Sequence, residues 1–215
     1  MAMPRRDWKI TLPSRKSSVL DQLPDLPVRA CVPELRERLA AGHVVLTAET
    51  GSGKTTLIPL LLRDEPWLAG KRIIVLEPRR PAARMAAYRM SALLNEAVGA
   101  TVGYQVRFEQ RVSADTRVEV ITEGLFLRRL QADPELSGIG LVVFDEFHER
   151  NQQADLSLAF TLDVARGLRE DLRVLVMSAS LDPAPLCALL PASPVHAGGR
   201  AFPVSVHHDR RDTEP

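Results

Sequence analysis

Short apolar runs alternate along this chain with stretches of helical period. The runs are VVLTA (44–48), RIIVLE (72–77), TVGYQVR (101–107), RVEVIT (117–122), LVVF (141–144), RVLVM (173–177) and VSVHH (204–208). Between them the pattern predicts helices near 54–63, 81–97, 123–132, 153–168 and 183–190. An opening helix is expected within LPVRACVPELRERLAAG (26–42), with Pro33 in or near its first turn and Gly42 placed to end it. The central runs are apolar throughout rather than alternating. A strand of that kind is covered on both faces, so the pattern predicts an α/β fold, a mostly parallel sheet with crossover helices. Residues 1–22 carry five basic groups and no periodic apolar pattern, and are read as a flexible lead-in. The domain is expected over 23–208, with 209–215 as a tail or the start of a linker.

Composition narrows the setting. A chain of 215 residues, 45% hydrophobic and 26% charged, fits one large soluble domain. The formal net charge is +1, so nucleic-acid binding needs a local basic patch rather than a bulk field. The two cysteines, Cys31 and Cys187, lie far apart and match no metal or redox spacing. Free thiols in a reducing compartment are the reading. The basic N-terminus lacks the apolar core of a secretory signal, and no apolar run reaches bilayer length. A cytoplasmic location without a membrane partner is expected.

Two segments carry chemistry. AETGSGKTT (48–56) follows a strand and opens a helix, matching the phosphate-loop pattern except that Ala48 stands where its first glycine would be. Gly51 and Gly53 let the backbone turn sharply and aim N–H groups at phosphate oxygens, with Thr50, Ser52 and Thr56 completing the cradle. Lys54 is expected to reach the β and γ phosphates of a nucleoside triphosphate, and the Thr55 hydroxyl to ligate Mg²⁺. The second segment, FDEFHERNQQ (144–153), packs acids against the end of an apolar strand. Such charges are costly unless something binds them. A phosphate loop needs a carboxylate at the end of a neighbouring strand to hold Mg²⁺, and Asp145 fits that part. Glu146 is placed to orient and deprotonate an attacking water.

His148, three residues after Asp145, completes a D-E-x-H spacing. With it the chain resembles the DEAH-box family of superfamily 2 helicases, spelled here DEFH as in the bacterial HrpB-type branch. The resemblance covers roughly 25–208 and rests on ordered motifs: AETGSGKTT, LEPRRPAARMAAYRM (76–90), VGYQVRFE (102–109), ITEGLFLRRL (121–130), DEFHER (145–150), MSASLD (177–182) and GRAFPVSV (199–206). It implies a RecA-like P-loop NTPase domain with Lys54, Glu146 and His148 in catalysis. It also implies coupling through Ser178, Ala179 and Ser180, where Ser180 replaces the usual threonine but keeps a hydroxyl. Pro81 departs from the usual residue but is tolerable at a helix start. Pro78, Arg79 and Arg80, with Thr122, Glu123 and Gly124, would lie along a single-stranded RNA or DNA path and grip it without reading sequence. Arg89 corresponds to the arginine that sandwiches the nucleotide base, which implies weak discrimination among nucleoside triphosphates.

Arg84, Arg107, Arg111, Arg128 and Arg129 are further basic groups that read equally as solvated faces. Aromatic residues make up 5% of the chain, so no base-stacking platform is evident, and Tyr104 and Phe108 are read as packing residues. No glycine-arginine finger segment follows Pro203. A helicase of this family needs a second RecA-like domain to supply it. The chain alone is therefore expected to bind Mg-NTP weakly, hydrolyse it very slowly and not unwind. Two alternatives stand beside the motor domain: a non-hydrolytic, nucleotide-gated nucleic-acid-binding or partner-docking module, and an unrelated P-loop enzyme such as a small-molecule kinase. The ordered PRR and TEG segments argue against the kinase.

Overall fold

A strand that is apolar on both faces needs cover on both, and this chain supplies it from alternate sides. The structure, a computed structural model, describes residues 23–198. A 3-10 turn, Pro27–Cys31, leads into α1 (Val32–Ala41). There follow β1 (Val44–Ala48), α2 (Lys54–Leu62), β2 (Arg72–Glu77), α3 (Arg80–Leu93), β3 (Val102–Val106) and β4 (Glu109–Arg111). The remainder is β5 (Val118–Thr122), α4 (Glu123–Ala132), β6 (Ile139–Phe144), α5 (Gln152–Gly167), β7 (Arg173–Ser178), α6 (Pro183–Leu189) and β8 (Ser193–Ala197).

Among the described residues the strands form one sheet in the order β4-β3-β5-β2-β6-β7-β1-β8. Every pairing is parallel except β3 with β4. Successive strand residues point to opposite faces. Val44, Leu46, Ile73 and Val75 pack with Leu35, Leu57 and Met90 of α1, α2 and α3. Val45, Ile74, Leu76 and Val142 pack with Phe126, Leu158 and Leu186 of α4, α5 and α6. This is the RecA-like architecture. Because the central strands run the same way, the segments that follow β1, β2, β5, β6 and β7 open along one edge, where ligands of such sheets bind.

The differences from expectation have local causes. The opening helix splits into the 3-10 turn and α1, and ends at Gly42 in extended backbone (φ 178°) rather than a left-handed cap. The helix expected over 81–97 ends at Leu93. β8 was not anticipated because SPVHA carries Pro194 and polar residues. It lies at the end of the strand order, where a missing N–H is tolerated. β4 is three polar residues, legible only through its pairing with β3. Tyr104 is buried as expected, but Phe108 is exposed at the β3–β4 turn and does not pack in the core. The strand expected at 204–208, the lead-in 1–22 and the tail 209–215 lie outside the described residues. Cys31 and Cys187 are free, and among the described residues no helix is long and apolar enough to cross a membrane.

Candidate functional site

The turn after β1 is built to face an anion. Gly51 (φ 80°) and Gly53 (φ 94°) occupy the left-handed region that favours glycine. A Cβ on Gly53 would also meet Leu26 Cδ1 at 2.7 Å. The Ser52 carbonyl accepts from Val28 N–H at 3.2 Å, tying the loop to the 3-10 turn. The Ser52 hydroxyl is buried without a hydrogen-bond partner. α2 begins at Lys54 with no side-chain cap, so its first N–H groups face outward along the helix axis. Thr50 and Gly51 are exposed at the crest, and Thr55 and Thr56 are half-buried on the first turn of α2.

The acidic segment meets this loop from β6. Glu146 takes left-handed backbone (φ 49°), unusual for a residue with a side chain. That twist sends two consecutive carboxylates to the same loop. The Thr55 hydroxyl donates to Asp145 Oδ2, and Lys54 Nζ lies 3.0 Å from Glu146 Oε1. Asp145 is fixed further by the Glu146 N–H, which donates to its Oδ1 at 2.9 Å. His148 Nδ1 stands 3.3 Å from Glu146 Oε2, although its alignment falls short of a hydrogen bond. Phe147 anchors the turn, buried edge-on to Phe144 with ring centroids 6.1 Å apart.

A third carboxyl shares the site. Leu76 pairs with Phe144, and the Asp145 N–H donates to the Leu76 carbonyl at 3.2 Å, which sets buried Glu77 beside Asp145. Burial first, then the neighbouring Asp145 and Glu146 charges, push the Glu77 carboxyl up to about 9. Burial also raises Asp145, against the Thr55 hydrogen bond and the Lys54 charge. Three acids thus crowd one corner, and two of them, Asp145 and Glu146, face the Lys54 ammonium. The sequence reading assigned Glu77 no role. Its position directly before Pro78, at the end of a strand, was the available signal.

Hard oxygen donors in a buried, acid-rich setting suit Mg²⁺. Among the described residues no three ionisable ligands enclose a metal by themselves. Asp145 and Thr55 would hold the ion only with phosphate oxygens and water completing its shell. A cavity of about 350 Å³ adjoins them, lined by Thr55, Thr56, Glu77, Ala82, Met85, Ala86, Arg89 and Glu146. Arg89, exposed on α3, therefore lies at the rim of the same cavity as the phosphate loop.

A second groove, about 380 Å³, opens along the same sheet edge. Pro78, Arg80, Arg107, Thr122, Gly124, Leu125, Leu127, Arg128 and Gln153 line it. It gathers four of the six residues expected on the strand path. The other two are engaged elsewhere: Arg79 pairs with Glu149 at 3.0 Å, and Glu123 is buried, its carboxyl raised chiefly by burial. The sequence reading placed neither Gln153 nor, specifically, Arg107 and Arg128 in this groove. Arg129 turns inward, gripping buried Glu119 at 2.6 and 3.0 Å and Gln105 at 2.9 Å. At the end of β7, the Ser178 hydroxyl is buried and accepts from Leu181 N–H at 3.2 Å, with Ala179 half-buried and Ser180 exposed.

Comparison with known proteins bears on this arrangement. The family model for the DEAD/DEAH box helicase matches residues 29–187. The chain is 55% identical over 181 residues to the ATP-dependent RNA helicase HrpB of Escherichia coli, covering 83% of this chain and 22% of that protein. It is 35% identical to the ATP-dependent RNA helicase DHX33 of Drosophila melanogaster, over 95% of this chain and 30% of the relative. A crystal structure of the Escherichia coli DEAH/RHA helicase HrpB superposes with a TM-score of 0.78 at 54% identity, over 83% of this chain and 23% of that one. The chain thus spans less than a third of the length of these relatives. With the matched region running from the 3-10 turn before α1 into α6, and so through both segments that converge on the cavity, the chain belongs to the DEAD/DEAH box helicase family.

Proposed function

We propose that this chain forms the first motor domain of a DEAH-type, NTP-dependent RNA helicase. The observation that carries the reading is the meeting of two distant segments: the Thr55 hydroxyl on Asp145 and Lys54 Nζ 3.0 Å from Glu146, beside one cavity. In this reading the loop amides of Thr50 to Gly53, Thr56 and Lys54 bind the phosphates of the nucleotide. Asp145 and Thr55 would hold Mg²⁺ beside those phosphates, and the ion would supply neutralisation of phosphate charge. When Lys54 turns to the phosphates it leaves Glu146, which is then free to accept a proton from water. His148, whose Nδ1 stands 3.3 Å from the second oxygen of Glu146 without bonding it, turns to orient that carboxylate once the nucleotide is bound. Arg89 flanks the base without reading its edge, so discrimination among nucleoside triphosphates is weak.

The groove of Pro78, Arg80, Thr122 and Gly124 holds single-stranded nucleic acid by its phosphates, with Arg79 joining once released from Glu149. The segment Ser178, Ala179 and Ser180, at the end of β7, couples the two sites. A second RecA-like domain closes on the cavity and contributes arginine to the transferring phosphate, an effect of roughly 10³–10⁵ in rate. The chain by itself hydrolyses very slowly and works in the cytoplasm as part of a larger helicase.

NTP turnover measured with and without single-stranded RNA, for the chain alone and with a supplied second domain, tests this. RNA-stimulated turnover is expected only when both domains are present. Absence of stimulation in the combined sample, with nucleotide still bound, would replace the motor by a non-hydrolytic binding module.

A further inference from the structure

The turn that carries the acids of the phosphate site also reaches the groove. Glu149 closes the 3-10 turn Phe147–Glu149, and its side chain pairs with Arg79 at 3.0 Å. Arg79 stands between Pro78 and Arg80, both of which line the groove. The pair lies in solvent: the Arg79 side chain is 71% exposed, and Glu149 is exposed as well. Glu149 is also felt where α4 borders the groove. Glu123, between Thr122 and Gly124, has its carboxyl raised first by burial and further by the Glu149 charge.

The backbone gives Glu149 little freedom. Two left-handed residues flank its turn, Glu146 (φ 49°) and Arg150 (φ 39°). The Glu149 N–H donates to the Glu146 carbonyl at 2.9 Å, and the Arg150 guanidinium pairs with Asp155 at 3.1 Å. A fixed turn therefore presents this carboxylate to Arg79. An ion pair so exposed adds little to the stability of the fold. A guanidinium takes a carboxylate or a phosphate through the same forked donors. The Glu149 carboxylate thus fills the place on Arg79 that a strand phosphate would take.

We propose that Glu149 is an internal counter-anion, which occupies Arg79 until a single-stranded nucleic acid displaces it and so holds back binding of the strand. The proposal rests on the groove reading given above. A strand wins the exchange because it brings further phosphates to Arg80 and Arg128 at the same time, whereas a lone anion meets Arg79 already paired. Because an exposed ion pair is weak, the competition lowers affinity without blocking the groove.

A double-mutant cycle read by fluorescence anisotropy, with the chain against a single-stranded RNA at one salt concentration, tests it. Glu149→Gln and Glu149→Ala both remove the charge from an exposed turn position. Each is expected to tighten binding about threefold, the scale of one exposed ion pair. Arg79→Ala is expected to weaken binding, and Glu149→Gln added to it to give no gain. Unchanged affinity in both Glu149 variants, with Arg128→Ala still weakening binding, overturns the counter-anion and leaves the groove standing. A gain that persists without Arg79 overturns it too, since Glu149 would then repel the strand at large instead of competing for one arginine. Failure of the unaltered chain to bind the strand overturns groove and counter-anion together.

Discussion

Glu77 shows how a single residue can be set by its neighbours. Its carboxyl stands at about 9 against an ordinary 4.5, because it is buried beside Asp145 and Glu146. Between those values the folded chain holds a proton that the unfolded chain has released. Stability therefore falls as pH rises through that window, and Asp145 shifts in the same direction. Thermal unfolding of the nucleotide-free chain from pH 5 to 9 is expected to show this decline, and Glu77→Gln to flatten it. An unaltered slope in Glu77→Gln would place the proton elsewhere. LEPRR displayed this glutamate in the sequence, but the reading went to its basic neighbours. Nothing in the linear order says that residue 77 abuts residue 145.

At the scale of elements, two adjacent arginines on α4 part company. Arg128 is exposed and lines the groove, while Arg129 holds α4 to β5 and β3 through buried Glu119 and Gln105. Removing one partner of a buried pair leaves the other charge stranded. Arg129→Ala is expected to cost about 3 kcal/mol in chemical denaturation, eased by Arg72, whose Nη1 lies 3.9 Å from Glu119. Arg128→Ala is expected to change stability by less than about 0.5 kcal/mol and to lower the salt slope of RNA binding by about one. Adjacent positions on a helix point about 100° apart, so the RR pair predicts divergence. Which arginine faces inward depends on Glu119, contributed by another strand.

Across the whole molecule, parallel strand direction brings the phosphate loop, the acids and the groove to one edge. Lys54 and Glu146 are 92 positions apart in the chain and 3.0 Å apart in space. Ligand that binds only the folded chain raises its melting temperature by mass action. Mg-ATP is expected to raise it for the unaltered chain and for Glu146→Gln, and not for Lys54→Ala. In the enzyme completed by a second domain, Glu146→Gln is expected to bind nucleotide but lose turnover. Normal turnover in that variant would remove Glu146 from the chemistry.

The sequence by itself determined the layered α/β class, six of the eight described strands, the glycines of the loop, and the pairing of that loop with an acidic strand end. These features are periodic or contiguous, and burial on one or two faces leaves a repeat that can be read along the chain. The tertiary structure alone decided the strand order, Pro194 within an edge strand, Glu77 against Asp145, Arg129 turned inward, and Phe108 left in solvent. Each depends on which strand lies alongside and in what register. Those choices are made by the packing of the whole sheet between its two helical layers, and no local pattern records them.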